Sequence, residues 1–288
     1  MLACILPRFS FRIIELHLSN GWGKPILSSY ISKVQTQLSR LKFTSAETIM
    51  ALQFSLAQAS LAVAVLGSTY GTYLALSPPN PSEHATPSTG DSVRWLFLTS
   101  KHTTKAVLAP LGLLSLHTAS LALRYPNSPP SLVHHGIENG LNPDLITWSA
   151  ATTIPLALIL CAGVPLRLVP YASLGKNFTF ALKEPDRLKT TGIYQYLQHP
   201  SYTGLAILMI FNVALLGRLD GALSCWIPPN AYETFCSWAV KLLPFTISGI
   251  MFGIWTRVSE EEEMLKKVFG KEWESWHART ARFIPFIL

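Results

Sequence analysis

Charged residues are scarce in this chain, and their scarcity excludes an ordinary soluble domain. Asp, Glu, Lys and Arg make up 14% of the 288 residues, whereas hydrophobic residues make up 49%. Soluble domains carry about 25% charged residues. No charged residue occurs in 48–82, 106–123 or 145–166. Because an apolar run of about 20 residues can cross a bilayer as a helix, the sequence predicts an all-α integral membrane protein.

Cysteine is also rare, and its spacing argues against two further classes of protein. The four cysteines, Cys4, Cys161, Cys225 and Cys236, form no C-x-x-C pair, so we predict neither a zinc site nor a disulfide framework. Acidic residues number 16 against 23 Lys and Arg, which gives a net charge of +7. Without a basic, aromatic-interleaved motif, this charge indicates loops beside anionic lipid headgroups rather than a nucleic-acid partner.

The first 46 residues contain one acidic residue, Glu15, and are rich in serine and basic residues. This composition is similar to that of a mitochondrial transit peptide, and it lacks the continuous apolar core of a secretory signal. The other two interpretations are a disordered tail and a start assigned upstream of the true initiator, with Met50 as the alternative start. We treat 1–46 as an N-terminal extension.

Five apolar segments are predicted to span the membrane, with polar or proline-rich loops between them. They cover approximately residues 49–76, 105–123, 144–168, 200–216 and 235–256. Residues 47–143 therefore hold the first two transmembrane helices and their loops, and 144–288 hold the other three. Pro155 and Pro165 predict kinks in the third segment.

Lys and Arg lie mostly on one face of this arrangement, which the positive-inside rule assigns to the cytosol. That face receives Arg94, Lys101, Lys105, Lys176, Lys183, Arg187, Lys189, Arg257, Lys266, Lys267, Lys271, Arg279 and Arg282. The short loops of the opposite face receive Arg124 and Arg218. Five spans would place the basic residues 1–46 on the opposite face. A misassigned start or a helix lying on the membrane would remove that conflict.

Two segments on the predicted cytosolic face hold most of the unusual residues. The first, 186–204, contains His199-Pro200-Ser201-Tyr202, and proline suits the first turn of a helix because its missing N–H would be unpaired there. The free N–H groups at such a helix end favour an anionic ligand group. An interfacial tyrosine beside a capping turn would give the same pattern without a ligand.

The second segment, 257–265, leaves the fifth predicted span. Arg257 precedes Glu261 by four residues, so both side chains lie on one face of a helix. Four consecutive glutamates also fit simple complementation of a helix dipole. Further along, Trp273 and Trp276 predict an amphipathic helix anchored on the membrane surface.

Together these motifs resemble the isoprenylcysteine carboxyl methyltransferase family, membrane enzymes that methylate prenylated C-termini. The family pattern reads G-x-Y, then R-H-P-S-Y-x-G, then R-x-x-x-E-E-x-x-L-x-x-x-F-G with an R-F-I-P-F-like end. This chain has Gly192-Ile193-Tyr194, His199-Pro200-Ser201-Tyr202-Thr203-Gly204, Arg257, Glu261-Glu262, Leu265, Phe269-Gly270 and Arg282-Phe283-Ile284-Pro285-Phe286. The resemblance covers about residues 144–288, which it implies are the methyltransferase core with a C-terminal cofactor-binding tail.

The resemblance implies S-adenosyl-L-methionine as the cofactor and an endoplasmic reticulum membrane location with the active site facing the cytosol. It assigns cofactor binding to Leu188, Lys189, Tyr194, His199, Pro200, Ser201, Tyr202 and Glu261. Arg257 matches the arginine that orients the substrate carboxylate. The implied partners are prenylated C-terminal cysteine substrates and the lipid bilayer, with no nucleic acid and no metal.

Two positions depart from the family pattern. Only Leu188 matches the family's His-x-Leu-Val cofactor segment at 186–189, and Gln198 stands where the family usually has arginine. A lost positive charge at 198 would weaken cofactor or carboxylate binding, or accompany an altered substrate. Methylation of another lipid-like acceptor, such as a phospholipid amine or an isoprenoid acid, therefore stays open, as does an inactive membrane paralogue.

Overall fold

Helices make up the regular secondary structure in the residues that the computed structural model describes, which are 55–80, 101–180, 182 and 184–284. The chain divides into two compact units, Met1–Gln53 and Phe54–Leu288, and all described residues lie in the second. The predicted extension 1–46 and the sequence positions Cys4, Met50, Arg94, Lys183, Pro285 and Phe286 lie outside the described residues. The predicted all-α membrane class is confirmed.

The α-helices of the described chain differ widely in length. They are α1 (Leu56–Leu76), α2 (Lys101–Arg124), α3 (Pro130–Val133), α4 (Ala150–Leu158), α5 (Val164–Leu174), α6 (Pro200–Leu216), α7 (Pro229–Phe269) and α8 (Lys271–His277). Short 3₁₀ turns cover Pro143–Leu145, Gly175–Asn177, Gly192–Gln195 and Ala222–Cys225.

The five predicted spans are helical over most of their described residues, and residues 146–149 of the third form a turn. Among the described residues, the segments long and apolar enough to cross a membrane are Leu56–Leu76, His102–Arg124, Pro143–Leu174 and Pro229–Phe269. The predicted span 200–216 coincides with α6, which is apolar but has only 17 residues. At 1.5 Å per residue such a helix covers roughly 26 Å, slightly less than a hydrocarbon core of about 30 Å.

The third span, in which Pro155 and Pro165 predict kinks, changes helix type directly before Pro165, whereas Pro155 lies inside α4. A π-helical turn, Ile159–Gly163, joins α4 to α5, and the N–H of Val164 bonds to the carbonyl of Ile159. Pro165 follows directly and has no N–H to continue the ordinary ladder, so the wider turn precedes it. Such π turns are frequent at functional sites, and this one packs against α6.

Helix α7 changes character along its 41 residues. Its apolar first part leaves side chains such as Trp238, Phe245 and Phe252 exposed, which suits contact with lipid in a membrane-spanning helix. Its last turns carry the four glutamates and end at Gly270, whose positive φ of 51° reverses the chain. Because glycine adopts this conformation without steric cost, α8 can fold back along the end of α7.

The core between α1, α2, α4, the π turn and α6 is built from apolar side chains. Its fully buried members are Leu61, Val65, Ala75, Ala122, Leu156, Ile159, Leu208, Leu215 and Leu216. Within this core Asn212 donates a hydrogen bond to Thr72 Oγ1 at 3.1 Å, an interhelical contact of a kind common in membrane proteins. This packing holds the N-terminal end of α6 against α5.

Two helix backbones approach closely beside this core, at Gly204 of α6. A Cβ atom added there would lie 2.9 Å from the Gly163 carbonyl oxygen and 3.0 Å from the Arg167 amide nitrogen. Both atoms belong to backbone and cannot rotate away. Glycine at 204 therefore lets the start of α6 lie directly against the π turn and α5. This start, His199-Pro200-Ser201-Tyr202, is called the HPSY turn below.

We expect Gly204→Ala to destabilise the protein, because the added methyl group must push two helices apart. Overpacking of this kind costs about 1 kcal/mol or more, and thermal unfolding of the purified protein would measure it. Gly67→Ala in α1 is the matched control, since nothing lies within 4 Å of its added Cβ. Equal stability of the two variants would contradict the close approach.

Candidate functional site

The first motif segment, 186–204, meets the end of the described chain at the start of α6. Leu197 and Ala281 form an isolated parallel bridge. The backbone N–H of Gln198 donates to the Ala281 carbonyl at 2.8 Å, and that of His199 donates to the Arg282 carbonyl at 3.0 Å. The C-terminal segment thus lies beside the HPSY turn, as a short extended pairing.

His199 is the N-cap of α6 and is only 3% exposed. Its Nε2 lies 3.1 Å from Glu262 Oε1, and Arg282 Nη2 lies 2.9 Å from Glu262 Oε2. One carboxylate thus joins the HPSY turn to the C-terminal segment. The sequence alone allowed Glu262 to be a residue that only complements the helix dipole, whereas the structure gives it two specific partners, His199 and Arg282.

Glu261, the neighbouring residue, faces two tyrosines instead. Its carboxylate interacts with the phenols of Tyr202 and Tyr194. Burial raises the pKa of the Tyr194 phenol, and the nearby Glu261 carboxylate raises it further. The Tyr194 phenol therefore stays protonated near neutral pH, and the Tyr202 phenol is hydrogen-bonded to the Glu261 carboxylate. Tyr202 also contacts Arg257, so it lies between the two charged residues of α7.

Arg257 is 8% exposed and is held by backbone as well as by side chains. Its Nη2 donates to the Phe180 carbonyl at 2.6 Å, and its Nη1 lies 3.9 Å from Glu260 Oε2. The guanidinium is therefore oriented before any ligand arrives. The predicted neighbours Arg257, Glu261 and Tyr202 are brought together by the structure, while their roles toward a ligand stay predictions.

Ser201 contacts a residue that the sequence reasoning missed. Arg167, in the third span, is 6% exposed and donates to Ser201 Oγ at 2.6 Å and to the Ala75 carbonyl at 3.1 Å. Its guanidinium also lies over the rings of Tyr171 and Phe180. A lone arginine inside a membrane-spanning segment is itself a sign of function, and that signal was available in the sequence.

Tyr194 packs with two tryptophans in a cluster that also includes Leu188. Trp273 and Trp276 are 6% and 4% exposed, and Trp276 Nε1 donates to the Tyr194 carbonyl at 2.8 Å. The prediction that this pair anchors α8 on the membrane surface is wrong. The chain reversal at Gly270 turns both rings inward, where they cover the G-x-Y turn.

The remaining predicted residues take different positions. Pro200 is fully buried at the first position of α6. Leu188 packs against the tryptophan cluster. Lys189 is half-buried in the extended chain before the G-x-Y turn, and none of the described contacts joins it to Glu261, His199 or Arg257. It is the predicted site residue with the least support from the geometry.

The group of side chains fits a cationic cofactor that also carries hydrogen-bond acceptors. Glu261 offers a carboxylate to an ammonium group, and the N-terminal end of α6 favours a carboxylate. Among the described residues, Trp273 Nε1 is a buried donor without a hydrogen-bond partner, and it lies in the Tyr194 cluster. A buried donor of this kind is costly unless a ligand or water pairs with it.

Comparison with known proteins confirms the family resemblance. Residues 156–228 match the model of the isoprenylcysteine carboxyl methyltransferase family. The chain is similar to a protein-S-isoprenylcysteine O-methyltransferase of Dictyostelium discoideum, with 26% identity over 165 residues. It is also similar to protein-S-isoprenylcysteine O-methyltransferase B of Arabidopsis thaliana, with 26% identity over 133 residues. A further similar protein is the protein-S-isoprenylcysteine O-methyltransferase of Mus musculus, with 26% identity over 169 residues.

The matched region is only part of each protein. It covers 54% of this chain and 58% of the Dictyostelium protein, 45% and 57% for the Arabidopsis protein, and 54% and 49% for the mouse protein. The chain thus spans about half the length of the curated relatives it matches. The family model includes the HPSY turn and α6 but ends before Arg257 and the glutamates.

Proposed function

We propose that this protein is an S-adenosylmethionine-dependent methyltransferase that esterifies the C-terminal carboxylate of a prenylated cysteine. The observation that supports it most directly is the placement of Arg257 and Glu261 one turn apart on α7, with Tyr202 of the HPSY turn between them. A site for a carboxylate and a site for a cationic methyl donor are thereby adjacent. The named relatives act in the same reaction class.

The reaction needs orientation rather than a general base. Bound S-adenosylmethionine supplies an electrophilic methyl group attached to a positively charged sulfur. The acceptor carboxylate, with a pKa of about 3.5, is already ionised near neutral pH. Transfer of that methyl group to the carboxylate oxygen would release the sulfur as a neutral thioether and would require no proton transfer, so the chain's residues would need only to bind and orient the two partners.

The chain's own residues then have separate tasks. Arg257 grips the acceptor carboxylate through its planar fork, which fixes the direction of the attacking oxygen. Glu261 pairs with the ammonium of the methyl donor, and the buried phenol of Tyr202 holds the Glu261 carboxylate in place. Leu188 and the two tryptophans form the apolar wall beside Tyr194 and exclude water from it.

The membrane location suits a lipid-modified acceptor. Helix α7 carries exposed apolar side chains along its first part and the site residues at its last turns. A prenyl chain dissolved in the bilayer can therefore lie against α7 while its carboxylate reaches Arg257. The distribution of Lys and Arg supports a cytosolic position for this end of α7, and the family resemblance favours the endoplasmic reticulum membrane.

An assay with purified full-length protein in lipid nanodiscs tests this function. The acceptors are an S-farnesylated cysteine analogue with a free carboxylate and the same analogue with a carboxamide, each given methyl-labelled S-adenosylmethionine. We expect label in a base-labile ester with the carboxylate only. Base-stable label on phosphatidylethanolamine would instead favour a phospholipid amine methyltransferase, and no transfer to any acceptor would favour the inactive paralogue.

A further inference from the structure

Gln198, the residue that departs from the family pattern, is the most completely bonded side chain next to the site. It is 4% exposed. Its Nε2 donates to the carbonyls of His277 (3.2 Å) and Thr280, and its Oε1 lies 2.8 Å from His277 Nδ1. Since both Nε2 hydrogens are used as donors, Oε1 accepts from Nδ1–H. The primary amide therefore has both of its donors and its acceptor paired.

These bonds join two parts of the chain that are about 80 residues apart. All three lead from the HPSY turn to residues 277–280, directly before the backbone pairing of Gln198 with Ala281 and of His199 with Arg282. His277 is itself fixed by stacking on Trp273, with ring centroids 4.3 Å apart. The Gln198 side chain therefore holds the start of the segment 277–283, and Thr203 holds its end by donating to the Phe283 carbonyl at 2.8 Å.

The position of that segment decides whether Arg282 reaches Glu262. Arg282 Nη2 bonds to one oxygen of Glu262 and His199 Nε2 lies against the other, at 2.9 and 3.1 Å. Arg282 is 39% exposed and lies over the Trp255 ring of α7 as well as against Glu262, and the backbone pairing at 281–282 brings it to both contacts. Displacing the segment would release Glu262 on one side and His199 on the other.

We propose that Gln198 is a positioning residue, which fastens the segment 277–283 to the HPSY turn and so holds the Arg282–Glu262–His199 contacts in register for cofactor binding. The inference rests on the proposed function for its ligand, S-adenosylmethionine. In this chain the Gln198 amide, with its donors and acceptor all paired, stands where the family has arginine, and none of these contacts needs a positive charge at that position.

An arginine at 198 would not reproduce these bonds. Arginine has only donors, so it offers no acceptor to the Nδ1–H of His277, and it is two heavy atoms longer in a buried position. It would also place a second positive charge near Arg282. Burial lowers the pKa of His277, against the opposing effect of Glu262, which agrees with a neutral imidazole that donates through Nδ1.

The test compares Gln198→Met, which keeps the length of the side chain and removes its hydrogen bonds, with Gln195→Met at an exposed position three residues earlier. We expect Gln198→Met to raise the Kd for S-adenosylmethionine at least about tenfold, while the affinity for the farnesylated cysteine analogue changes less than about twofold. Hydrogen exchange of the amides of Gln198 and His199 should accelerate, whereas amides around Leu208 in α6 should not. Gln195→Met should match the wild type.

Two results would overturn the proposal. One is unchanged exchange and unchanged cofactor affinity in Gln198→Met. The other is a gain of cofactor affinity in Gln198→Arg, which is the result expected if the glutamine marks only a lost charge. If wild-type protein bound no S-adenosylmethionine, the proposed function would fail, and the exchange of the two amides would still show whether Gln198 holds the segment.

Discussion

Arg257→Lys is expected to lower turnover at least about tenfold, equivalent to about 1.4 kcal/mol of barrier, with little change in cofactor affinity. In the structure the guanidinium is fixed by the Phe180 carbonyl at 2.6 Å, and Tyr202 and Glu260 lie beside it. Lysine keeps the positive charge but loses the planar fork, so it cannot hold both this carbonyl and a carboxylate in one plane. The carboxylate would then turn out of line with the methyl–sulfur bond.

Single-turnover methylation of the farnesylated cysteine analogue measures this effect, beside a separate measurement of S-adenosylmethionine affinity. Arg279→Lys is the matched control, since Arg279 is exposed in the same region. If Arg257 served only as an interfacial anchor, lysine would replace it equally well. A variant with normal insertion and nearly full activity would therefore contradict the substrate-orienting role.

Glu261→Gln is expected to weaken S-adenosylmethionine binding by about 1.5–3 kcal/mol, the range for losing a charged partner in a largely dry site. The substitution keeps the shape of the side chain, so the helix itself should lose only a few tenths of a kcal/mol. The buried phenol of Tyr202 remains able to donate to the amide oxygen. The missing interaction is the one with the cofactor ammonium.

Glu263→Gln provides the control, because Glu263 belongs to the same acidic run but is exposed. Isothermal titration with S-adenosylmethionine would compare the two variants with the wild type. Small and equal effects at both positions would show that the acidic run acts only on the helix dipole, and the assignment of Glu261 to the cofactor would be wrong.

The sequence by itself determined where the chain is helical in the membrane. Charge-free runs can satisfy their backbone groups in a bilayer only as helices, which is why the predicted span at 200–216 coincides with α6. Pro165 located the irregular turn before α5 for the equally local reason that it lacks an N–H. The motif spacing also placed Arg257 and Glu261 on one helical face, because residues four apart always share a face.

Only the tertiary structure decided which neighbours in these motifs face which partners. Glu261 and Glu262 are indistinguishable by composition, but successive residues on a helix point about 100° apart, so one meets the tyrosines and the other meets His199 and Arg282. Trp273 and Trp276 were assigned to the membrane surface because their burial depends on the reversal at Gly270. From the sequence, Gln198 indicated only the loss of a positive charge, because its partners His277 and Thr280 lie about 80 residues further along the chain. Local pattern fixes which face of a helix a residue occupies, whereas the group it meets there is set by long-range packing, which no local pattern encodes.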